Sequence, residues 1–93
     1  MAGELKRVHV HASGRVQGVF YRAECARRAR ALGLAGFVRN LPDGRVEAAF
    51  EGPPESVDKM VQWCRNGTDW SQVDDLEVVE EPAEGDKDFR VSR

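Results

Sequence analysis

The tetrapeptide Leu41-Pro42-Asp43-Gly44 separates two short segments whose side chains alternate, and it constrains the middle of the chain more than any other feature. Proline presets its own φ and glycine accepts the left-handed backbone, so these four residues read as a tight turn. Residues 35–40 before it and 45–51 after it read as strands. In the second, Val46, Ala48 and Phe50 fall on one face and Arg45, Glu47 and Glu51 on the other. The pair predicts an antiparallel hairpin with its inner face buried and its charged face in solvent.

The remaining elements follow from periodicity. Residues 5–13 alternate, with Val8, Val10 and Ala12 opposite Arg7, His9 and His11, which predicts a first strand. Ser13-Gly14-Arg15-Val16-Gln17-Gly18 breaks that pattern. A helix is expected over 21–32, with Cys25, Ala26, Ala29 and Leu32 at helical spacing and Gly33 as its stop. Gly52-Pro53-Pro54 punctuates again. Val57, Met60, Val61 and Cys64 then form one apolar stripe of a second helix that Asn66-Gly67 ends. Residues 73–80 predict a fourth strand and Phe89-Arg90-Val91 a short fifth, joined by an acidic loop over residues 80–86. The order is β-α-β-β-α-β with a terminal strand. It implies an α+β, ferredoxin-like fold: an antiparallel sheet with two helices on one face. One domain over 1–93 is expected.

Composition narrows the function. Fourteen Lys and Arg against sixteen Asp and Glu leave a formal charge of −2, the wrong sign for a nucleic-acid binder. Met1-Ala2-Gly3-Glu4-Leu5-Lys6 lacks the apolar core of a secretory signal, and no apolar run approaches the twenty residues that span a bilayer. A cytoplasmic monomer with no membrane partner is expected. Cys25 and Cys64 match no zinc or redox spacing. Their apolar positions favour buried free thiols, with a bridge between neighbouring helices as the alternative.

The segment Gly14-Arg15-Val16-Gln17-Gly18-Val19-Phe20-Tyr21-Arg22 carries the chemistry. A glycine-bearing loop that opens a helix presents successive backbone N–H groups at the positive end of the helix dipole, which is an anion site made from main chain. Arg22, in the first turn, can add a two-pronged hydrogen bond to a phosphoryl oxygen pair. The Gly-Lys-Ser/Thr ending of a Walker loop is missing. A tight turn beside a solvated arginine is the plain alternative.

Those nine residues resemble the first signature of the acylphosphatase family without interruption. Gly36-Phe37-Val38-Arg39-Asn40-Leu41-Pro42-Asp43-Gly44-Arg45-Val46-Glu47 resembles its second, at the expected distance, and Leu32-Gly33-Leu34 before it is typical. The similarity extends over essentially the whole chain. It implies hydrolysis of acyl phosphates to carboxylate and inorganic phosphate, with no cofactor and no metal. It implies a phosphate cradle formed by Arg15, Val16, Gln17, Gly18, Val19, Phe20, Tyr21 and Arg22. Arg22 would be the essential phosphate-binding arginine, and Asn40 would orient the attacking water. Inorganic phosphate and sulfate would compete for the same cradle. The family often has a Gly-Pro pair after the second helix, where this chain reads Gly67-Thr68-Asp69-Trp70, a region expected to lie away from both signatures.

Two other classes stay in view. A non-catalytic phosphate-binding or regulatory domain of this type would keep the cradle and lack turnover. An RNA-binding module of the same element order needs aromatics on the open sheet face, and the third strand offers only Phe50, on the core face. His9 and His11 share a strand face but are two ligands without a third. Arg27, Arg28 and Arg30 are expected to form a solvated helix face, Trp63 and Trp70 to pack, and Asp74-Asp75 and Glu80-Glu81 to be solvated edges.

Overall fold

A computed structural model describes residues 4–92. The expected domain 1–93 and the expected signal-free start at Met1 extend to residues 1–3 and 93, which lie outside the described residues. The elements are β1 (Lys6–Arg15), α1 (Tyr21–Ala31), β2 (Ala35–Asn40), β3 (Val46–Gly52), α2 (Pro54–Asn66), β4 (Gln72–Glu81) and β5 (Phe89–Val91). Their sheet order is β4-β1-β3-β2-β5. β1 lies antiparallel between β3 and β4, and β2 is antiparallel to β3. β5, whose pairing the sequence left open, runs parallel to β2.

Both helices cover one face. Val8, Val10, Val38, Val46, Ala48 and Phe50 from the sheet meet Tyr21, Cys25 and Ala29 of α1 and Val57, Met60 and Cys64 of α2. The Tyr21 hydroxyl donates to the Cys64 carbonyl at 2.7 Å and fixes α1 against α2. Cys25 and Cys64 are buried free thiols, and burial pushes the Cys25 thiol well up. No helix among the described residues is long and apolar enough to cross a membrane.

β1 runs two residues beyond the expected Ser13 because a bulge at Ser13/Gly14 hides its continuation. Gly14 has φ +120° there, and a Cβ would stand 2.3 Å from the Gln72 carbonyl oxygen. Only glycine fits that approach, and the period-two pattern stops on it.

The sheet's second face is not the open charged surface that alternation predicts. Arg7 is 4% exposed, Glu51 3% and Glu47 8%. The segment between β4 and β5, which lie at opposite edges of the sheet, crosses this face. The Glu84 and Gly85 N–H groups both donate to the Glu51 carboxylate at 2.9 Å. Arg7 donates to Glu51 and Asp86 at 3.0 Å and to Glu81 at 2.7 Å. Glu81 is therefore half of a shielded ion pair and not a solvated edge. Asp74 and Asp75 are exposed, as expected.

These pairs set the acid stability. Burial would raise the Glu51 carboxyl, but the Glu84 and Gly85 N–H groups and Arg7 outweigh it and hold the carboxyl below its usual range. Arg7 does the same for Glu81 against a smaller burial effect, helped by His9. A depressed carboxyl stabilises the fold above its unfolded value and loses that contribution as pH falls through the folded one. Stability should hold from neutral pH down to about 4.5 and fall steadily below it. In Glu51→Gln, urea midpoints measured against pH should lie lower throughout and decline less steeply in acid. Equal slopes would remove Glu51 from the account.

Candidate active site

β1 delivers the chain into the loop over residues 16–20, which ends at the N-terminus of α1. Val16 and Tyr21 turn their side chains into the core at 1% and 2% exposure. With its ends anchored, the intervening loop is displayed as backbone. Gly18 has φ +73° and Phe20 φ +65°, two left-handed residues that aim successive peptide groups outward. Phe20 caps α1 without any side-chain hydrogen bond, so the first-turn N–H groups have no partner from the cap. Among the described residues no protein acceptor takes the N–H groups of Gln17, Gly18, Val19 or Phe20.

Two contacts fix the loop's position. The Gln17 side chain donates to the carbonyls of Leu41 and Arg45 at 2.8 and 2.9 Å, tying the loop to the β2–β3 turn. Asn40 closes β2 immediately before that turn, so Gln17 sets the distance between the cradle and Asn40. From the other side, the Thr68 hydroxyl donates to the Val19 carbonyl at 2.9 Å. Residues 67–70 therefore support the loop directly. The sequence reading that set them away from both motifs is corrected, because Gly67 at φ +69° folds the chain back after α2. Trp70 does not pack in the core either: it is 62% exposed and meets Phe20 edge-on, with ring centroids 5.5 Å apart. Trp63 does pack, against Tyr21, with Arg28 over its ring.

The structure gathers Val16, Gly18, Phe20, Tyr21, Arg22 and Asn40 around one half-open pocket of about 240 Å³. Arg15, Gln17 and Val19 do not line it. Arg15 is exposed at the end of β1, Gln17 faces the hairpin and Val19 lies against the core. Arg22 is half-buried. Among the described residues no carboxylate pairs with it, whereas Arg27 and Arg28 on the same helix both pair with Glu24. Arg30 donates to the Phe89 carbonyl. Arg27, Arg28 and Arg30 are exposed, as expected, and each has a partner, whereas Arg22 lines the pocket with no carboxylate partner among the described residues. In the same pocket, the Asn40 side-chain oxygen Oδ1 is buried with no hydrogen-bond partner among the described residues. A buried acceptor without a partner is costly in a finished fold and ordinary in a site shaped for something else. No His, Cys, Asp or Glu lines the pocket.

The family model for acylphosphatase matches residues 8–91. The chain belongs to the acylphosphatase family. An acylphosphatase of Rubrobacter xylanophilus is 56% identical over 84 residues, covering 90% of this chain and 76% of that protein. One from Methylococcus capsulatus is 54% identical over 90 residues, covering 96% and 98%. The crystal structure of acylphosphatase from Bacillus subtilis superposes with a TM-score of 0.91 at 36% identity, covering 97% of this chain and 100% of that one. The reaction of this acylphosphatase is hydrolysis of the carboxyl-phosphate bond of acyl phosphates.

Proposed function

We propose that the main-chain N–H groups of the 16–20 loop and of the first turn of α1, with Arg22, hold the phosphoryl group, and that Asn40 orients the attacking water. The observation that carries this reading is that Asn40, whose buried oxygen has no hydrogen-bond partner among the described residues, lines the same pocket as Arg22, which has no carboxylate partner among them. An acyl phosphate already contains a good leaving group, a carboxylate that departs without a proton. Phosphoryl transfer has a loose transition state whose charge sits on the peripheral oxygens, so positioning and charge stabilisation do most of the work. The backbone donors and the planar guanidinium meet that charge. The Asn40 carboxamide can accept a hydrogen bond from water and donate one to it, and it brings no negative charge to repel the phosphate. The water oxygen bonds to phosphorus in line with the leaving group. The phosphorus–carboxylate bond breaks with its electron pair on the carboxylate, and the water proton passes to the product phosphate or to solvent.

Recognition is confined to the phosphoryl end, so inorganic phosphate and sulfate compete. The buried free thiols support a cytoplasmic setting. Turnover of a synthetic acyl phosphate should persist in EDTA and stay broad between about pH 5 and 8, because no His, Cys, Asp or Glu lines the pocket. Loss of turnover on chelation, restored by zinc or magnesium, would overturn this mechanism.

A further inference from the structure

We propose that His9, His11 and Glu47 form a binding site for a divalent transition cation of the zinc type, on the sheet face opposite the helices and separate from the phosphate pocket. Sequence gives two histidines on one strand face, and β3 supplies the third ligand. In the β1–β3 register Glu47 stands directly opposite His11, and His9 is two residues along the same face. One ligand atom from each of the three lies within 4.8 Å of the others. His9 Nε2 is 2.6 Å and His11 Nε2 3.8 Å from the same oxygen, Glu47 Oε2. Both Nε2 atoms thus face Glu47, and because the two imidazoles are stacked 5.3 Å apart at an interplanar angle of 7°, a modest ring rotation brings their in-plane lone pairs together on one ion. Ligands bonded at about 2.0–2.1 Å around a tetrahedral ion stand about 3.4 Å apart. The 2.6 Å gap must therefore open, the 3.8 Å gap must close, and the gap between the two imidazole nitrogens, within 4.8 Å, must come to the same value, shifts of about an ångström that side-chain rotation supplies.

The outer ring of partners points the same way. His9 Nδ1 is 3.2 Å from Glu81 and His11 Nδ1 is 3.6 Å from Glu77. A metal-bound imidazole characteristically offers its second nitrogen to a carboxylate, which fixes the ring and raises its basicity. A plain ion pair between His9 and Glu47 accounts for His9 alone. It leaves His11 with both nitrogens beyond hydrogen-bond reach of the two carboxylates they face. Arg39 also binds Glu47, but through Oε1, and leaves Oε2 free to face both rings. Two imidazoles and one carboxylate suit zinc, nickel or copper and not magnesium or calcium. Three protein ligands leave a fourth position for water.

The three side chains are 11–27% exposed, so an ion can reach them. Calorimetric titration of the full chain with zinc chloride, in a buffer that does not coordinate metals, tests the site. Binding should be one to one, with Kd in the micromolar range or below. His11→Ala makes no lost hydrogen bond and should keep the wild-type circular dichroism while weakening binding about a hundredfold. Glu77→Gln, on an exposed side chain, should weaken it about tenfold, in line with the effect of outer partners in metal sites. Zinc at about a hundred times its Kd should raise Tm by about 10 °C or more in the wild type and by much less in His11→Ala. Unchanged affinity in His11→Ala, or wild-type binding weaker than about 1 mM, which is below what three converging ligands deliver, would overturn the proposal.

Discussion

Arg22→Lys should lose nearly all turnover, about a thousandfold or more, while folding like the wild type, and Arg22→Ala should do no better. Lysine keeps the positive charge and loses the planar fork, so a charge-only role predicts survival and a two-pronged role predicts failure. The fold should tolerate both changes, since Arg22 is half-buried at the helix surface and has no carboxylate partner among the described residues. Competitive inhibition by inorganic phosphate should weaken sharply in both variants. Measured kcat/KM and phosphate inhibition constants, alongside circular dichroism, decide the matter. Lysine activity close to wild type would remove the two-pronged contact from the mechanism.

Asn40→Ala should separate the two halves of the site. Turnover should fall about a hundredfold or more, because a misplaced nucleophile forfeits much of the advantage of a bound one. Phosphate inhibition should stay near the wild-type value, since the anion is held by Arg22 and the loop amides. Stability should hold or rise slightly, because the substitution removes a buried acceptor that has no partner among the described residues. A matching loss of phosphate affinity would make Asn40 a ligand to the anion and not a guide for water.

Most of the scaffold was legible because period-two and helical spacing survive wherever one face is apolar and the other polar. β1, β3 and α2 show this plainly. The extension of β1 was not legible, since a bulged glycine interrupts the pattern it belongs to. Nor was the second buried face of the sheet. Glu51 and Arg7 read as surface residues until the 82–88 segment is laid across them, and Glu47 until His9 and Arg39 close on it, and no local spacing announces either. The candidate site was legible at Arg22 and Asn40 through the two signature segments. The support was hidden in residues whose local reading sufficed without it. Gln17 looked like one more cradle backbone, and its side chain instead ties the loop to the hairpin. Thr68 looked like part of a variable turn, and it holds the Val19 carbonyl. A lone polar side chain reaching 24 or 49 residues away leaves no periodic trace. The third partner of His9 and His11 was missed for a related reason: it comes from a neighbouring strand, and strand register is a property of the fold.

The central claim is that main-chain amides of one loop hold the phosphoryl group. Its most direct test is a titration of the ¹⁵N-labelled protein with inorganic phosphate, followed by amide chemical shifts. The account predicts the largest shifts at Gly18, Val19, Phe20 and Arg22, half-saturated at a concentration equal to the phosphate inhibition constant. Shifts centred elsewhere, as at Arg39 and Arg90 on the far side of β2, with the 17–22 amides unmoved at saturation, would contradict it.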